Sequence, residues 1–315
     1  MSLFSSAAAG FSARVKKLFN PSRIQTGNFV FTLHQQWTFL IVIVGLIFSS
    51  SNNYLNKDAI VCADDKDTPY FRDFCFLHGG SHVHKAIQGE VSSGTQCASI
   101  AKDGDNNDLD RRTSYYIWLP FVFAIVGIVT KIPGILWKNI LERNTIENLV
   151  AELDQEGSSS REVALQRIAN MVKGAETSLQ AIVYNFGFAF CEVLNLGAIC
   201  VSWILLNSLL NHEFANYGFN VHTHRSFVGN PSLPELELPN NPMCQLFPTE
   251  ISCSVSTGTI SGGSNKENFV CLLPNNLFYQ YYFLILWCWW VALVFVTCTA
   301  LVYRVAQILV PQLGR

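Results

Sequence analysis

Four stretches of this chain are apolar for long enough to cross a bilayer: residues 29–48, 115–137, 179–210 and 278–310. In lipid every backbone N–H and C=O must be satisfied within its own segment. A helix of about 20 predominantly apolar residues is the economical solution. All four stretches reach that length. The first is the weakest, because His34, Gln35 and Gln36 interrupt its start. The last two are long enough to tilt or to project beyond the hydrocarbon. Half of the 315 residues are hydrophobic and 14% are charged, a balance that four spans explain and a soluble domain would not. The remainder is then an N-terminal tail and link, 1–28, a loop 49–114, a loop 138–178, a loop 211–277 and a short tail 311–315. No compact apolar run precedes the first stretch, so that span reads as its own insertion signal.

Lys and Arg near the spans set orientation. Arg14, Lys16, Lys17 and Arg23, then Lys138, Arg143, Arg161, Arg167 and Lys173, then Arg304 and Arg315, all fall on one side of a four-span topology. That side is expected to be the cytosol, with both termini in it. Loops 49–114 and 211–277 are then extracellular, and they hold six of the ten cysteines: Cys62, Cys75, Cys97, Cys244, Cys253 and Cys271. Spacings of 13 and 22 residues in the first loop, and 9 and 18 in the second, lack the close pairs of a zinc site. Disulfides are expected instead, in a compartment that permits them. Cys191, Cys200, Cys288 and Cys298 lie in spans three and four and read as small apolar residues.

The soluble parts carry weaker signals. Phe4, Phe11, Val15 and Leu18 recur at helical spacing in the tail, which on its own residues reads as a helix lying on the membrane surface. The loop 138–178 reads as two or three short helices broken at Gly157-Ser158-Ser159-Ser160, and 250–255 and 268–273 read as short strands. No phosphate loop, nucleophile elbow or zinc-protease helix is present, so no catalytic residue, metal, cofactor or nucleic-acid partner is expected. His78, His82 and His84 form the densest cluster of titratable groups. Without acidic partners, an ordinary polar loop outweighs a metal or pH-sensing role. Glu192, near the middle of span three, is a candidate intramembrane polar site, with Lys131 in span two as its candidate partner. A functional acid and a paired one facing the bundle interior are equally compatible with the sequence. Pro120 and Pro133 both fall in span two, and Pro133-Gly134 is expected to bend it.

Several segments are specific. Tyr115-Tyr116-Ile117-Trp118-Leu119-Pro120 resembles the Tyr-Tyr-x-Trp-x-Pro signature of the innexins, the gap-junction proteins of invertebrates. Cys75-Phe76-Leu77-His78-Gly79, Pro133-Gly134-Ile135-Leu136-Trp137-Lys138, Phe247-Pro248-Thr249-Glu250-Ile251-Ser252-Cys253 and Cys271-Leu272-Leu273-Pro274-Asn275-Asn276 are similar to further innexin segments, in the same order. The aromatic start of span four, Phe283 to Trp290, is similar as well.

The resemblance implies a membrane all-α protein. Its four-transmembrane-helix bundle would carry two disulfide-linked extracellular loops forming a small α/β extracellular domain, and a helical cytosolic domain. It implies a large-pore channel subunit in the plasma membrane, in a homo-oligomer of eight, docking at a gap junction to a channel in the apposed cell and passing ions and small metabolites. It moves the N-terminal helix from the membrane surface to the pore mouth. Met1, Ser2, Leu3, Phe4 and the outer end of span one, Ser49, Ser50, Ser51, Asn52, Asn53 and Tyr54, would then line the path. It pairs Cys62 with Cys271 and Cys75 with Cys253. Innexins usually carry two cysteines per loop, so Cys97 and Cys244 are extra, and a third bridge, Cys97–Cys244, is expected. Asp103, Asp105, Asp108 and Asp110 would bias a vestibule toward cations. The chain stops sooner after span four than the family usually does. No Asn-x-Ser/Thr sequon occurs in either loop, which leaves docking unobstructed by glycans. Two alternatives remain: an undocked hemichannel that releases small molecules such as ATP, as pannexins are thought to do, and a four-pass adhesion or scaffold protein. The latter lacks the Cys-Cys-Gly and Trp…Leu-Trp-Cys-Cys patterns of tetraspanins and claudins.

Overall fold

A computed structural model of the chain describes residues 28–55, 59–62, 69–82, 111–138, 166, 179–228, 241–258 and 263–309. The N-terminal helix with Met1, Ser2, Leu3 and Phe4, most of the loop 138–178, Cys97, His84 and the run Asp103 to Asp110 lie outside these residues.

Four helices are long and apolar enough to cross a membrane. The first, α1, begins at Phe29 under the N-cap of Asn28, whose Oδ1 accepts the Phe31 N–H at 2.7 Å. It passes through a π-helical turn at Leu33–Thr38, continues as Phe39–Ser50, and ends in a second π-helical turn at Ser51–Leu55. It therefore runs on past the expected end at Phe48. Strand β1 is Val61–Cys62, α2 is Pro69–His78, β2 is Gly80–His82 and β3 is Arg111–Thr113. The second long helix, α3, is Tyr115–Leu136 and runs through both prolines without interruption. The third, α4, is Leu179–Leu209. It ends where Asn211 and His212 take positive φ values of 51° and 65°, a conformation that Asn and His tolerate better than most side chains. Asn207 bridges that reversal by accepting the Ala215 N–H at 3.0 Å. A fifteen-residue helix, α5 (Phe214–Val228), follows, then α6 (Pro242–Leu246), the hairpin strands β4 (Glu250–Gly258) and β5 (Ser264–Leu272), and the fourth long helix α7 (Asn275–Leu309).

The chain packs as two compact units. One comprises residues 41–127 and 201–291, the other 1–40, 128–200 and 292–315. The first contains a five-stranded antiparallel sheet in the order β1-β5-β4-β2-β3. The hairpin of the second long loop, β4 and β5, lies between β1 and the β2–β3 pair of the first, so the sheet is built from both loops. Its helical part has an aromatic core. The buried Phe247 ring meets Tyr115 at 5.5 Å, Tyr217 at 5.7 Å and Phe283 at 4.9 Å. Phe123 stacks on Phe283, and Phe214 meets Trp290 edge-on. In the second unit Phe31, Trp137, Phe188 and Cys191 form the apolar core.

The outward faces of the long helices remain apolar. Ile125, Ile128, Ile132 and Ile135 form an exposed stripe on α3, and Phe186, Phe190, Val193 and Ile204 one on α4. In water such a surface would drive aggregation; in a membrane protein it meets lipid or a neighbouring subunit.

Gly45 is the tightest point of α1. A Cβ there would sit 2.6 Å from Cζ of Tyr282 and 3.1 Å from Phe123, and the Tyr282 hydroxyl donates to the Ile41 carbonyl at 2.9 Å. Gly45→Leu is expected to cost about 1–3 kcal/mol or more by overpacking. Thermal unfolding of the detergent-purified protein, followed by tryptophan fluorescence, should show a lower midpoint for Gly45→Leu and a smaller loss for Gly45→Ala.

Candidate functional site

The opening of α3 joins the sheet to the helices. Pro120 has no N–H, so the carbonyl of Tyr116, four residues earlier, loses its helical partner. Asn53 supplies one: its Nδ2 donates to that carbonyl at 2.6 Å from the last turn of α1. The Tyr54 hydroxyl donates to the next carbonyl, Ile117, at 2.8 Å. The two tyrosines fasten other parts of the same unit. The Tyr115 hydroxyl donates to Oδ1 of Asn276 at 2.7 Å, and Asn276 Nδ2 donates to the Pro248 carbonyl. One turn along α7, Gln280 donates to the Phe247 carbonyl at 3.0 Å and accepts the Tyr217 hydroxyl on its own carbonyl at 2.8 Å. Burial pushes the Tyr217 phenol well up from its ordinary pKa, so it remains a donor throughout the physiological range. The Tyr116 hydroxyl donates to the Cys75 carbonyl at 3.2 Å. Trp118 points outward and Pro120 is buried.

Cys75 is itself bonded to Cys253 on β4, and Cys62 on β1 to Cys271 on β5. Cys62 and Cys271 are also direct partners in the strand register. The sulfurs of Cys62, Cys75 and Cys271 lie within 4.8 Å of one another. All three are committed to disulfides and offer no thiolate to a metal. Cys244 is disulfide-bonded as well, to a partner outside the described residues. His78 is exposed, stacks on Phe74 and lies with Nδ1 3.1 Å from the Phe74 carbonyl. It is thus engaged with its own helix.

The side chains expected along a path at the outer end of α1 divide into two groups. Ser49 is fully buried, with its hydroxyl on the Leu46 carbonyl, and Asn53 is buried on Tyr116. Ser50, Ser51 and Asn52 are half-buried, and Tyr54 is exposed. The first two serve packing within the subunit; the other four are accessible.

The second unit corrects the partner expected for Glu192. Its carboxylate, 3% exposed, is ion-paired with Arg304 of α7, whose Nε lies 2.8 Å from Oε2 and whose Nη2 donates to Oε1 at 3.1 Å. Asn28 Nδ2 donates to Oε1 at 2.5 Å. Lys131 instead donates to the backbone carbonyl of Gln35 and lies 4.1 Å over the Phe39 ring. Gln35 lies inside the π-helical turn, where the widened helix leaves carbonyls free for other donors. The Gln35 side chain lies where a Cβ on Gly134 would sit, and it donates to Asn195 Oδ1 at 2.8 Å. Thr297 gives its proton to the Leu293 carbonyl, so the 2.7 Å contact with His34 requires Nε2–H of His34 to donate. The polar interruption at the start of the first apolar stretch is a set of bonds to α3, α4 and α7. Arg304, expected in the cytosolic flank, is part of the same system.

Four membrane-length helices, with two long loops joined by disulfides in one antiparallel sheet, define a four-span membrane protein. The innexin family profile matches residues 27–315, and the chain belongs to that gap-junction family. It is 25% identical over 309 residues to innexin inx3 of Drosophila melanogaster, covering 97% of this chain and 75% of that protein. It is 25% identical over 300 residues to innexin inx2 of Schistocerca americana, covering 95% and 81%. For innexin shaking-B of Drosophila melanogaster the figures are 24% over 302 residues, 95% and 78%.

The proline account makes a quantitative prediction. Asn53→Ala should orphan the Tyr116 carbonyl and cost about 1–3 kcal/mol. Pro120→Ala restores an N–H four residues on, so Asn53→Ala should cost much less in that background. A double-mutant cycle on thermal stability measures the difference, and additive losses would rule the account out.

Proposed function

We propose that the chain forms a ring, an octamer, around a wide aqueous path in the plasma membrane. Two rings in apposed cells dock through the loops 49–114 and 211–277 and pass ions and small metabolites, with both termini in the cytosol. One observation carries this reading: strands from both loops share a single disulfide-tied sheet, and Tyr116 at the start of a membrane-length helix donates to the carbonyl of Cys75, whose sulfur is bonded to β4. Docking needs a rigid, preorganised face, because each ordered loop residue otherwise costs conformational entropy on association. The accessible Ser50, Ser51, Asn52 and Tyr54, together with Met1 to Phe4, are the proposed path lining. Ser49 and Asn53 are left out of it because both are buried in the subunit.

Imaging of the purified particle should reveal eightfold rings and face-to-face pairs. Paired-cell recording should give junctional current. Dye uptake by single cells without junctional current would favour the undocked hemichannel, and no conductance in either assay would leave an adhesion or scaffold role.

A third bridge belongs to the same proposal. Cys62, Cys75, Cys253 and Cys271 are mutually paired, Cys191, Cys200, Cys288 and Cys298 are free thiols, and Cys244 is bonded. Cys97 is the cysteine that remains in the chain. Peptide mapping under non-reducing conditions should recover a Cys97–Cys244 cross-linked peptide; free thiols at both positions would remove the bridge without touching the other two.

A further inference from the structure

Three sulfurs from two different bridges share one small volume. Sγ of Cys62, Cys75 and Cys271 all lie within 4.8 Å of one another, although Cys75 is bonded to Cys253 and Cys62 to Cys271. The sheet register accounts for the crowding. Ile251 faces Cys271 and Cys253 faces Phe269, so Cys253 and Cys271 are diagonal neighbours on adjoining strands. Both are buried, on the same inner face of the hairpin. Cys75 of α2 lies against that face, bonded to one of them and close to the other. Its backbone is held: the Cys75 carbonyl accepts the Gly79 N–H at 3.0 Å and the Tyr116 hydroxyl at 3.2 Å. A change of partner from Cys253 to Cys271 therefore asks for side-chain rotation, with no slip of the β4–β5 ladder. The four sulfurs also differ in access. Cys75, Cys253 and Cys271 are 0%, 2% and 0% exposed, whereas Cys62, on the two-residue strand at the edge of the sheet, is half-buried. A dissolved thiol meets Cys62 first.

We propose that Cys62 is a modification site for a small extracellular thiol, and that Cys75 relays the opened bridge. The thiolate of the small molecule attacks Cys62 Sγ and forms a mixed disulfide there. The Cys62–Cys271 bond breaks and its electron pair leaves on Cys271. The Cys271 thiolate then attacks Cys75 Sγ. A Cys75–Cys271 bond forms, the Cys75–Cys253 bond breaks, and Cys253 leaves as the thiolate and takes up the proton that the small thiol gave up. One thiol and two disulfides enter, and one thiol and two disulfides remain, so no further oxidant or reductant is consumed. The second step is favoured because a thiolate held beside its target outcompetes a dissolved one. At its end α2 is tied to β5 instead of β4, and β1 has lost its covalent tie to the hairpin. The two loops stay joined while the edge strand is released. That the thiol arrives from outside the cell rests on the reading above; the exchange itself does not.

The purified full-length protein, exposed to reduced glutathione, quenched by alkylation and digested without reductant, is mapped by mass spectrometry. Expected are glutathione on Cys62, a Cys75–Cys271 cross-linked peptide and an alkylated Cys253. Glutathione on Cys62 with an alkylated Cys271 and an intact Cys75–Cys253 bridge overturns the relay. No incorporation, or glutathione on Cys75, Cys253 or Cys271 without any on Cys62, overturns the entry site. Cys62→Ser removes the first step and leaves Cys271 as a thiol beside Cys75. With no thiol added, Cys75 should then divide between Cys253 and Cys271 within about tenfold of equal shares, because two bonds of the same kind differ only in packing. A variant that folds and keeps Cys75–Cys253 alone overturns the relay as well; should the variant fail to fold, the glutathione pulse on the parent chain decides. On intact single cells glutathione, which does not cross the membrane, should give the same products. Their absence there, with all three present on the purified protein, keeps the chemistry and sinks the extracellular placement of the loops instead.

Discussion

Two sulfur bridges between loops far apart in sequence decide what the polar part of this chain is. Cys62–Cys271 and Cys75–Cys253 close separations of 209 and 178 residues. A cross-link over such a span removes roughly 5 kcal/mol of unfolded-chain freedom in the loop-closure picture. The bridges are nested, however. Once the outer one exists, the inner one closes only the short stretches between 62 and 75 and between 253 and 271, so it contributes less. Their larger effect is on register. Cys62 faces Cys271 as a strand partner, and a slip of one residue would turn a strand's side chains to the opposite face of the sheet. Fixing that pair fixes which residues of β5 and β4 face the aromatic core below Phe247.

The signature at the start of α3 depends on this register. Tyr116 reaches the carbonyl of Cys75, which Cys253 holds in place, and Tyr115 reaches Asn276 just after β5. Pro120 supplies the other half of the logic by leaving a carbonyl that only a side chain from elsewhere can satisfy. A short motif thereby specifies three tertiary contacts. In the sequence the motif carries a family resemblance, but its physical content was not legible. The partners lie 41, 63 and 161 residues away, and nothing local says which amide answers which carbonyl.

Other features were legible to the extent that they are periodic. Four apolar runs of membrane length announce four helices, because the bilayer imposes both the length and the composition. The hairpin strands showed as short pieces at 250–255 and 268–273, and they extend in the structure to Glu250–Gly258 and Ser264–Leu272. The extension is polar and pairs only within the hairpin. Helices α2 and α5 were missed. In Phe214–Val228 the buried Phe214, Tyr217 and Val221 recur at helical spacing, but Phe219 and Phe227 fall off that face and blur the pattern; Phe214 meets Trp290 of α7 and Tyr217 meets Phe247. The partner of Glu192 was misread for a related reason. Which residues share a depth in the membrane depends on where each helix starts and how it tilts, and a run of apolar letters fixes neither. Lys131 and Arg304 were equally available on paper.

The two units are held by different kinds of bond, and the difference bears on which of them can change state. Around the sheet the long-range ties are covalent sulfur bridges and hydrogen bonds between neutral groups: tyrosine hydroxyls, asparagine and glutamine amides, and backbone carbonyls. Each neutral bond has one sensible geometry, and the bridges do not exchange without a reductant. Around the root of α1 the ties are a carboxylate shared between a guanidinium and an amide, a lysine on a freed carbonyl of a π-helical turn, and a histidine on a hydroxyl. These groups keep several donors and acceptors apiece, so one arrangement can be traded for another without leaving a charge bare. A switch requires two packings of similar energy. Without a reductant the sulfur-tied sheet is held to one, whereas the acid shared between two donors and the widened π-helical turn beside it are held by bonds that can be redistributed.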